Sequence, residues 1–213
     1  MCKFSEDSRQ KLGNAVIYIA NHTEQLSKTK LLKLLFLMEE YMVKRYHVPF
    51  MGLPFEIWQA GPVAKDIFID LSDGPFLLKD FVKTEVQKDA TYIRAIKPFC
   101  DDEFSDCEME MMDEIIRKYG KKTAKQLVAE VHKEGSLWFN AAKKHGLLTA
   151  FNKGLCNNSD YTIDFSEELS DCAREDYKEN LAIHQTANIL KSSGAVFKEG
   201  NYLPICSFRS SLI

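Results

Sequence analysis

The segment Lys28-Thr-Lys-Leu-Leu-Lys-Leu-Leu-Phe-Leu-Met38 decides the fold, because its apolar run predicts a helix with almost no polar face at its centre. Ser27, which precedes the segment, is a residue type that caps helix N-termini. We expect this helix to span residues 28–46 and to lie in the middle of the core. The lysines near its start, Lys28, Lys30 and Lys33, oppose the helix dipole, which favours negative charge at that end. This placement favours a role for the three lysines outside helix stability.

A second informative segment, Phe55-Glu-Ile-Trp-Gln-Ala-Gly-Pro-Val63, predicts a strand followed by a tight turn and a helix. Residues 55–58 include the aromatic and β-branched types that suit strands. Gly61 can adopt backbone conformations that other residues avoid, and Pro62 is well tolerated at the first position of a helix. We therefore predict a strand over 55–58 and a helix over 62–71.

Patterns on both sides of these segments predict further helices and a hairpin. Residues 8–21 carry apolar side chains at the spacing of an amphipathic helix. Alternation of apolar and polar residues in 81–86 and 92–97 predicts a β-hairpin, which we expect to form a small antiparallel sheet with the strand at 55–58. Helix starts are predicted at Ser105-Asp-Cys-Glu108, at Thr123-Ala-Lys-Gln126 and at Ser136, where the first two are capping boxes, and a long helix is predicted over 170–191.

These elements predict an α+β fold that is predominantly α, a compact helical domain with a small antiparallel β-sheet or hairpin. The chain of 213 residues, 45% of them hydrophobic, is long enough to bury a core of its own. We divide it into a domain over residues 1–154 and a C-terminal helical extension and tail over 155–213 that packs on the same domain. The polar residues 155–164 predict a loop with a short strand at 161–163, and Gly194 onward reads as an irregular tail.

The charge and the hydropathy of the chain exclude several classes of partner. A net charge of -3 gives no general attraction for phosphate backbones, which argues against nucleic acid as a partner. The N-terminus lacks the apolar stretch of a signal peptide, and no run approaches the ~20 apolar residues that cross a bilayer. We therefore expect a cytoplasmic protein that does not contact a membrane.

The sequence offers no catalytic motif, and we expect no enzyme activity, no cofactor and no metal. Six cysteines are scattered without a close pair, which predicts reduced thiols. Five histidines lie in separate predicted elements, outside any pattern of a metalloprotease, a hydrolase or a P-loop. A pairing of Cys107 with His132 in space stays open as a route to a cysteine-dependent hydrolase.

His132 and Trp138 are placed to meet at one corner, because the histidine ends one predicted helix and the tryptophan opens the next. One interpretation is a packing corner, with the imidazole hydrogen-bonded to backbone and favoured by the helix C-terminus. The other is a half-exposed tryptophan that anchors a partner, since tryptophan is frequent among residues that dominate binding.

Together these segments resemble the Panacea domain, an antitoxin family of bacterial and phage toxin–antitoxin operons. The Leu/Lys-rich helix of the family matches residues 28–36, its aromatic and Gly-Pro-Val segment matches 56–63, and its His-to-Trp corner matches 131–138. The three segments occur in the same order as in the family, and the resemblance covers roughly residues 8–142.

The resemblance implies a protein that neutralises a cognate protein toxin by direct binding. One related antitoxin delivers its toxin to a AAA+ protease, which makes such a protease a second expected partner. We predict a partner-binding site from the lysines and the two matched corners, with solvated lysines beside a structural turn as the alternative interpretation. Its candidate residues are Lys28, Lys30, Lys33, Trp58, Gly61, Pro62, Val63, His132 and Trp138.

A different class of function stays open, a winged-helix-like DNA-binding regulator. In this hypothesis residues 28–46 and 62–71 are its helices and the hairpin at 81–97 is the wing. The acidic net charge and the leucine-filled centre of the first helix argue against it.

Overall fold

The computed structural model describes residues 4–72, 74–88 and 90–192. The predominantly α fold with a small β part is confirmed. The helices are α1 (Glu6–His22), α2 (Lys28–Tyr46), α3 (Lys65–Asp70), α4 (Asp106–Tyr119), α5 (Ala124–Val131), α6 (Leu137–Lys144), α7 (Leu147–Asn152) and α8 (Asp171–Ser192), and the strands are β1 (Glu56–Trp58), β2 (Gly61–Val63), β3 (Val82–Gln87) and β4 (Ala90–Ala95).

Helix α2 lies at the centre of the core, as its apolar sequence predicts. Every residue from 31 to 39 is buried, including the charged Lys33 and Glu39. Helices α4 and α5 and strand β2 pack against it. The Ser27 side chain accepts a hydrogen bond from the backbone N–H of Lys30 and so caps the helix. The remaining elements are therefore positioned by how they cover α2.

The prediction that Pro62 begins a helix is wrong. Gly61 to Val63 form strand β2, which pairs with β1 through a two-residue turn, and α3 begins only at Lys65. Pro62 lies opposite Ile57, at a position between the two hydrogen-bonded pairs of this short ladder. Its missing N–H therefore removes no bond from the hairpin, which is why proline is tolerated there.

The hairpin is confirmed as β3 and β4, but the predicted single sheet is wrong because β1 and β2 form a separate sheet. The outer edge of β1 is covered by residues 157–163, where the N–H of Ile57 donates to the carbonyl of Tyr161 at 2.9 Å. The outer edge of β4 is likewise occupied, because the N–H of Ile93 donates to the carbonyl of Leu26 at 2.8 Å. Because β1 pairs with β2 on one side and with residues 157–163 on the other, it has no edge left for the β3–β4 hairpin.

The predicted helix starts are confirmed at Ser105, Thr123 and Ser136, and the first two form complete capping boxes. The long C-terminal helix is also present as α8. Sequence reasoning missed the short α7, and α5 ends at Val131 with His132 as its C-cap, as expected. None of the helices in the described ranges has both the length and the apolar character that crossing a membrane requires.

The described part of the extension, residues 155–192, packs on the preceding residues. The ring of Phe165 lies 5.5 Å from that of Phe36 and 6.0 Å from that of Phe55. Helix α8 contacts α1, where Lys191 forms a 2.6 Å ion pair with Asp7. The predicted irregular tail from Gly194 onward lies outside the described residues.

Candidate functional site

Three segments that are far apart in sequence meet beside α2. The ammonium of Lys33 donates to the carbonyl of Pro62 at 2.8 Å, which joins α2 to the β1–β2 hairpin. The indole N–H of Trp138 donates to the carbonyl of Trp58 at 3.2 Å, which joins the hairpin to α6. We call Lys33, Trp58, 61–62, His132 and Trp138 the motif cluster, because the segments matched to the Panacea family supply all of its members.

Lys33 is the buried charge of the motif cluster. Its side chain is only 1% exposed. Burial lowers the pKa of Lys33 to about 7, because the charged form loses its hydration and receives only neutral compensation from the Pro62 carbonyl. The ammonium and the free amine are therefore both accessible near neutral pH.

Gly61 packs directly against this lysine. Its φ of +95° lies in a region that residues with a side chain rarely adopt. A Cβ at this position would lie 2.9 Å from Cε of Lys33 and 3.0 Å from Cγ2 of Val131. Glycine is thus required twice, once for the backbone conformation and once for the close approach of α2 and α5.

His132 and Trp138 do meet at one corner, as predicted from their positions. Their rings stack with centroids 3.9 Å apart and planes inclined by 8°. Burial, and then the nearby Lys33, lower the pKa of His132 to about 4, so the imidazole is neutral at neutral pH. Its Nε2 atom is buried without a hydrogen-bond partner in the described part of the chain, in contrast to the predicted bond to backbone. The corner is held by ring stacking.

The structure places most of the predicted partner-binding residues in the interior. Lys30 donates to the carbonyls of Gly120 at 2.7 Å and of Glu24 at 3.2 Å, so it holds two chain segments together. A binding role for the predicted residues stays a prediction. In this conformation the buried ones hold parts of the fold together. Buried are Lys30, Lys33, Gly61, Pro62, Val63 and Trp138, whereas Lys28, Trp58 and His132 are partly exposed.

The partly exposed residues Lys28 and Trp58, both predicted as partner-binding residues, share a surface with Phe68 and Ile69, which sequence reasoning missed. The rings of Trp58 and Phe68 are 5.0 Å apart, and the ammonium of Lys28 lies 3.9 Å from the centroid of Phe68. Ile69, the next residue of α3, is 51% exposed. We call Lys28, Trp58, Phe68 and Ile69 the α3 surface. The signal in the sequence is the pair Phe68-Ile69 beside the inward-facing Ile67, which gives this short helix more apolar residues than one buried face needs.

Two alternative hypotheses receive no support from the geometry. Cys107 lies at the start of α4 with its thiol 3.3 Å from the Ser105 hydroxyl, whereas His132 stacks on Trp138. In the ranges that the structure describes, no group of three His, Cys, Asp or Glu residues is arranged to hold a metal ion. The winged-helix hypothesis needs an exposed first helix, but the centre of α2 is buried and α3 has six residues.

We predict that the stability difference between the wild type and Lys33→Met depends on pH, because Lys33 is buried. Native Lys33 loses its proton near pH 7 but unfolded lysine loses it near 10.5, so between these values the unfolded chain binds more protons. The free energy of unfolding that Lys33 contributes should therefore rise with pH across this window, by at most about 1.4 kcal/mol per pH unit. Urea denaturation of both proteins should show that their stability difference changes in favour of the wild type as the pH rises. Lys125→Met, an exposed lysine on α5, controls for the loss of one positive charge, and an equal slope for both variants would contradict the prediction.

Comparison with protein families identifies the family to which the chain belongs. A family model described as "Antitoxin SocA-like, Panacea domain" matches residues 31–139, just over half of the chain. Neither the curated proteins nor the solved structures contain a match. The matched region begins in α2 and ends in α6 just after Trp138, so it includes the whole motif cluster. The chain therefore belongs to the SocA-like antitoxin family, the Panacea domain.

Proposed function

We propose that this chain neutralises a cognate protein toxin by binding it directly. Membership in an antitoxin family is the observation that carries the proposal. An antitoxin implies a toxin as partner, and the motif cluster supports a binding role because it joins α2, the β1–β2 hairpin and α6 into one rigid unit.

We assign toxin binding to the α3 surface, which adjoins this unit through Lys28 of α2 and Trp58 of β1. It combines the aromatic pair Trp58 and Phe68 and the exposed Ile69, which can bury a large apolar area, with the cation of Lys28. Two hydrogen bonds within the chain fix the position of Trp58 in this surface. The Trp58 carbonyl is bound by Trp138, and the Trp58 indole N–H donates to the Glu56 carboxylate at 2.8 Å. A preorganised surface loses little conformational freedom when it binds.

Co-expression with the product of the adjacent gene tests the proposal. Cells that make the adjacent protein alone should stop growing, and cells that also make this chain should grow. The two purified proteins should elute as one complex in size-exclusion chromatography. Growth arrest that this chain does not relieve, or the absence of any complex, would refute the proposal.

A second measurement separates blocking of the toxin from its delivery to a protease. Toxin levels should be followed after protein synthesis is stopped, in cells with and without this chain. A stable toxin in growing cells indicates inhibition within the complex. Rapid loss of the toxin that depends on a AAA+ protease indicates that this chain also acts as an adaptor.

For the α3 surface we predict that Ile69→Asp weakens the toxin complex about tenfold or more, because it places a charge into a desolvated contact. Ile96→Asp is the matched control, since Ile96 is 50% exposed and Ile69 is 51% exposed. The two variants should have similar thermal stability, and titration calorimetry should show weakening only for Ile69→Asp. Equal affinities of the two variants would place the contact elsewhere on the chain.

A further inference from the structure

The β3–β4 hairpin has one edge that other residues of the chain cover and one that residues 4–72, 74–88 and 90–192 leave open. The edge of β4 is occupied by residues 26–27, through the bond from Ile93 to the Leu26 carbonyl and a bridge between Ser27 and Tyr92. In the described ranges no further strand pairs with β3, and the outward N–H of Val82 at its start donates to the Leu78 carbonyl at 3.0 Å, so the open part of the edge is residues 84–86. An open strand edge is a template for pairing with another chain.

The ladder register shows which backbone groups this open edge presents. The N–H of Ile96 donates to the carbonyl of Phe81, so residues 83 and 85 of β3 also exchange bonds with β4. The alternate residues Thr84 and Val86 therefore direct their N–H and C=O groups away from β4. In the described residues, no backbone group pairs with these outward N–H and C=O groups of Thr84 and Val86. Val86 is in addition 74% exposed, so a strand paired with this edge would bury its side chain.

The side chains of β3 are complementary to a second copy of the same strand in one antiparallel register. When Thr84 faces Thr84 of the other copy, Lys83 faces Glu85 and Glu85 faces Lys83. Both of these pairs fall at positions without backbone hydrogen bonds, where opposed side chains approach most closely. A register centred one residue earlier or later would instead place two lysines or two glutamates opposite each other.

We propose that two copies of this chain associate through their β3 strands, in the register centred on Thr84, to form a continuous four-stranded antiparallel sheet. The Thr84 residues exchange two backbone hydrogen bonds, and Val86 of each copy lies opposite Val82 of the other. Within one chain the Glu85 carboxylate lies 3.0 Å from Arg94 and 3.2 Å from Lys83. Lys83 is 59% exposed, so in the dimer it exchanges this partner for Glu85 of the other copy. A contact of this size buries little area, so the dimer should dissociate in the micromolar range, which sedimentation velocity covers.

Thr84→Pro tests the backbone pairing. Because the N–H of Thr84 points outward, proline at this position removes the central bonds between the copies and leaves the β3–β4 ladder intact. Sedimentation velocity should show wild-type mass rising toward twice the monomer as the concentration increases, and a monomer at every concentration for Thr84→Pro. A wild type that stays monomeric, or a Thr84→Pro variant that dimerises equally, overturns the proposal.

A charge swap tests the register and does not depend on how well the proline variant folds. Lys83→Glu alone places like charges opposite each other twice in the dimer, and so does Glu85→Lys alone, so each should weaken dimerisation about tenfold or more. The double variant Lys83→Glu/Glu85→Lys restores opposite charges and should dimerise like the wild type. A double variant as weak as the single variants overturns the register. All three should keep the circular dichroism spectrum of the wild type.

Discussion

Gly61→Ala should lower the free energy of unfolding by about 3 kcal/mol or more. The methyl group would be forced into a φ of +95°, and it would lie 2.9 Å from Cε of Lys33 and 3.0 Å from Cγ2 of Val131. The lysine cannot simply move aside, because its buried ammonium needs the Pro62 carbonyl. Relief of the clash would separate the β1–β2 hairpin from α2. Urea denaturation followed by circular dichroism measures the loss.

Gly135→Ala is the matched control for this prediction. Gly135 has a φ of +83°, close to that of Gly61, but a Cβ there would meet nothing within 4 Å. This variant should show the conformational cost alone, about 1–2 kcal/mol. The difference between the two variants isolates the close approach of Gly61 to α2 and α5. Equal losses of stability in the two variants would show that the close packing of Gly61 against Lys33 and Val131 does not contribute to the cost of Gly61→Ala.

Local physical chemistry explains why much of the fold could be predicted. The leucine-filled centre of α2 has only one way to avoid water, so its central position follows from the sequence. The capping boxes at Ser105 and Thr123 satisfy backbone donors within four residues, and they work wherever the helix lies. For the same reason the hairpin β3–β4 follows from its alternating pattern.

Pro62 shows where local rules stop. Proline suits the first turn of a helix, and it suits equally a strand position that donates no hydrogen bond. The choice between them was made by pairing with Ile57 and by burial against α2, which are tertiary contacts. The helix of this segment is therefore delayed to Lys65.

The candidate site was harder to predict than the fold, because charge in a sequence does not reveal burial. Lys28, Lys30 and Lys33 look alike in the sequence, yet Lys30 and Lys33 are buried and Lys28 lies against the exposed side of Phe68. What separates them is a carbonyl acceptor from a distant segment, Gly120 for Lys30 and Pro62 for Lys33. Sequence reasoning thus found the segments that meet and could not tell which side chains face outward.

Glu39 is the buried carboxylate of α2, beside the buried lysines Lys30 and Lys33 of the same helix. Its carboxylate is 1% exposed and accepts hydrogen bonds from the N–H groups of Phe50, Met51 and Gly52, at 2.9 to 3.2 Å. These residues lead into β1, so Glu39 sets how the chain enters the β1–β2 hairpin. Burial raises the pKa of Glu39 to about 7, and these three donors, which favour the ionised form, offset only part of that rise.

Glu39→Ala should therefore lower the free energy of unfolding by about 3 kcal/mol or more, because it leaves buried N–H groups without an acceptor. Glu39→Gln retains one acceptor oxygen and should cost less. Glu40→Ala is the control on the next residue of α2, where the lost ion pair with the half-exposed Lys44 should cost at most about 1 kcal/mol. Urea denaturation at neutral pH orders the three variants, and a Glu39→Ala variant no less stable than Glu40→Ala would contradict the assignment.

The pH dependence of stability separates the effect of Glu39 ionisation from the effect of its side-chain size. Because its native pKa is about 7 and the ordinary value is 4.5, the native state binds the extra proton between these values. The stability that Glu39 contributes is thus complete below pH 4.5 and is lost as the pH rises through about 7. This slope is opposite to the one expected from His132, whose native pKa of about 4 makes stability rise with pH from 4 to 6.5. Comparing wild type with Glu39→Gln across this range removes the contribution of His132, which both proteins share. As the pH increases, the free energy of unfolding of the wild type should fall relative to that of Glu39→Gln. A difference that does not change with pH would mean that Glu39 is ionised throughout, held by its three N–H donors.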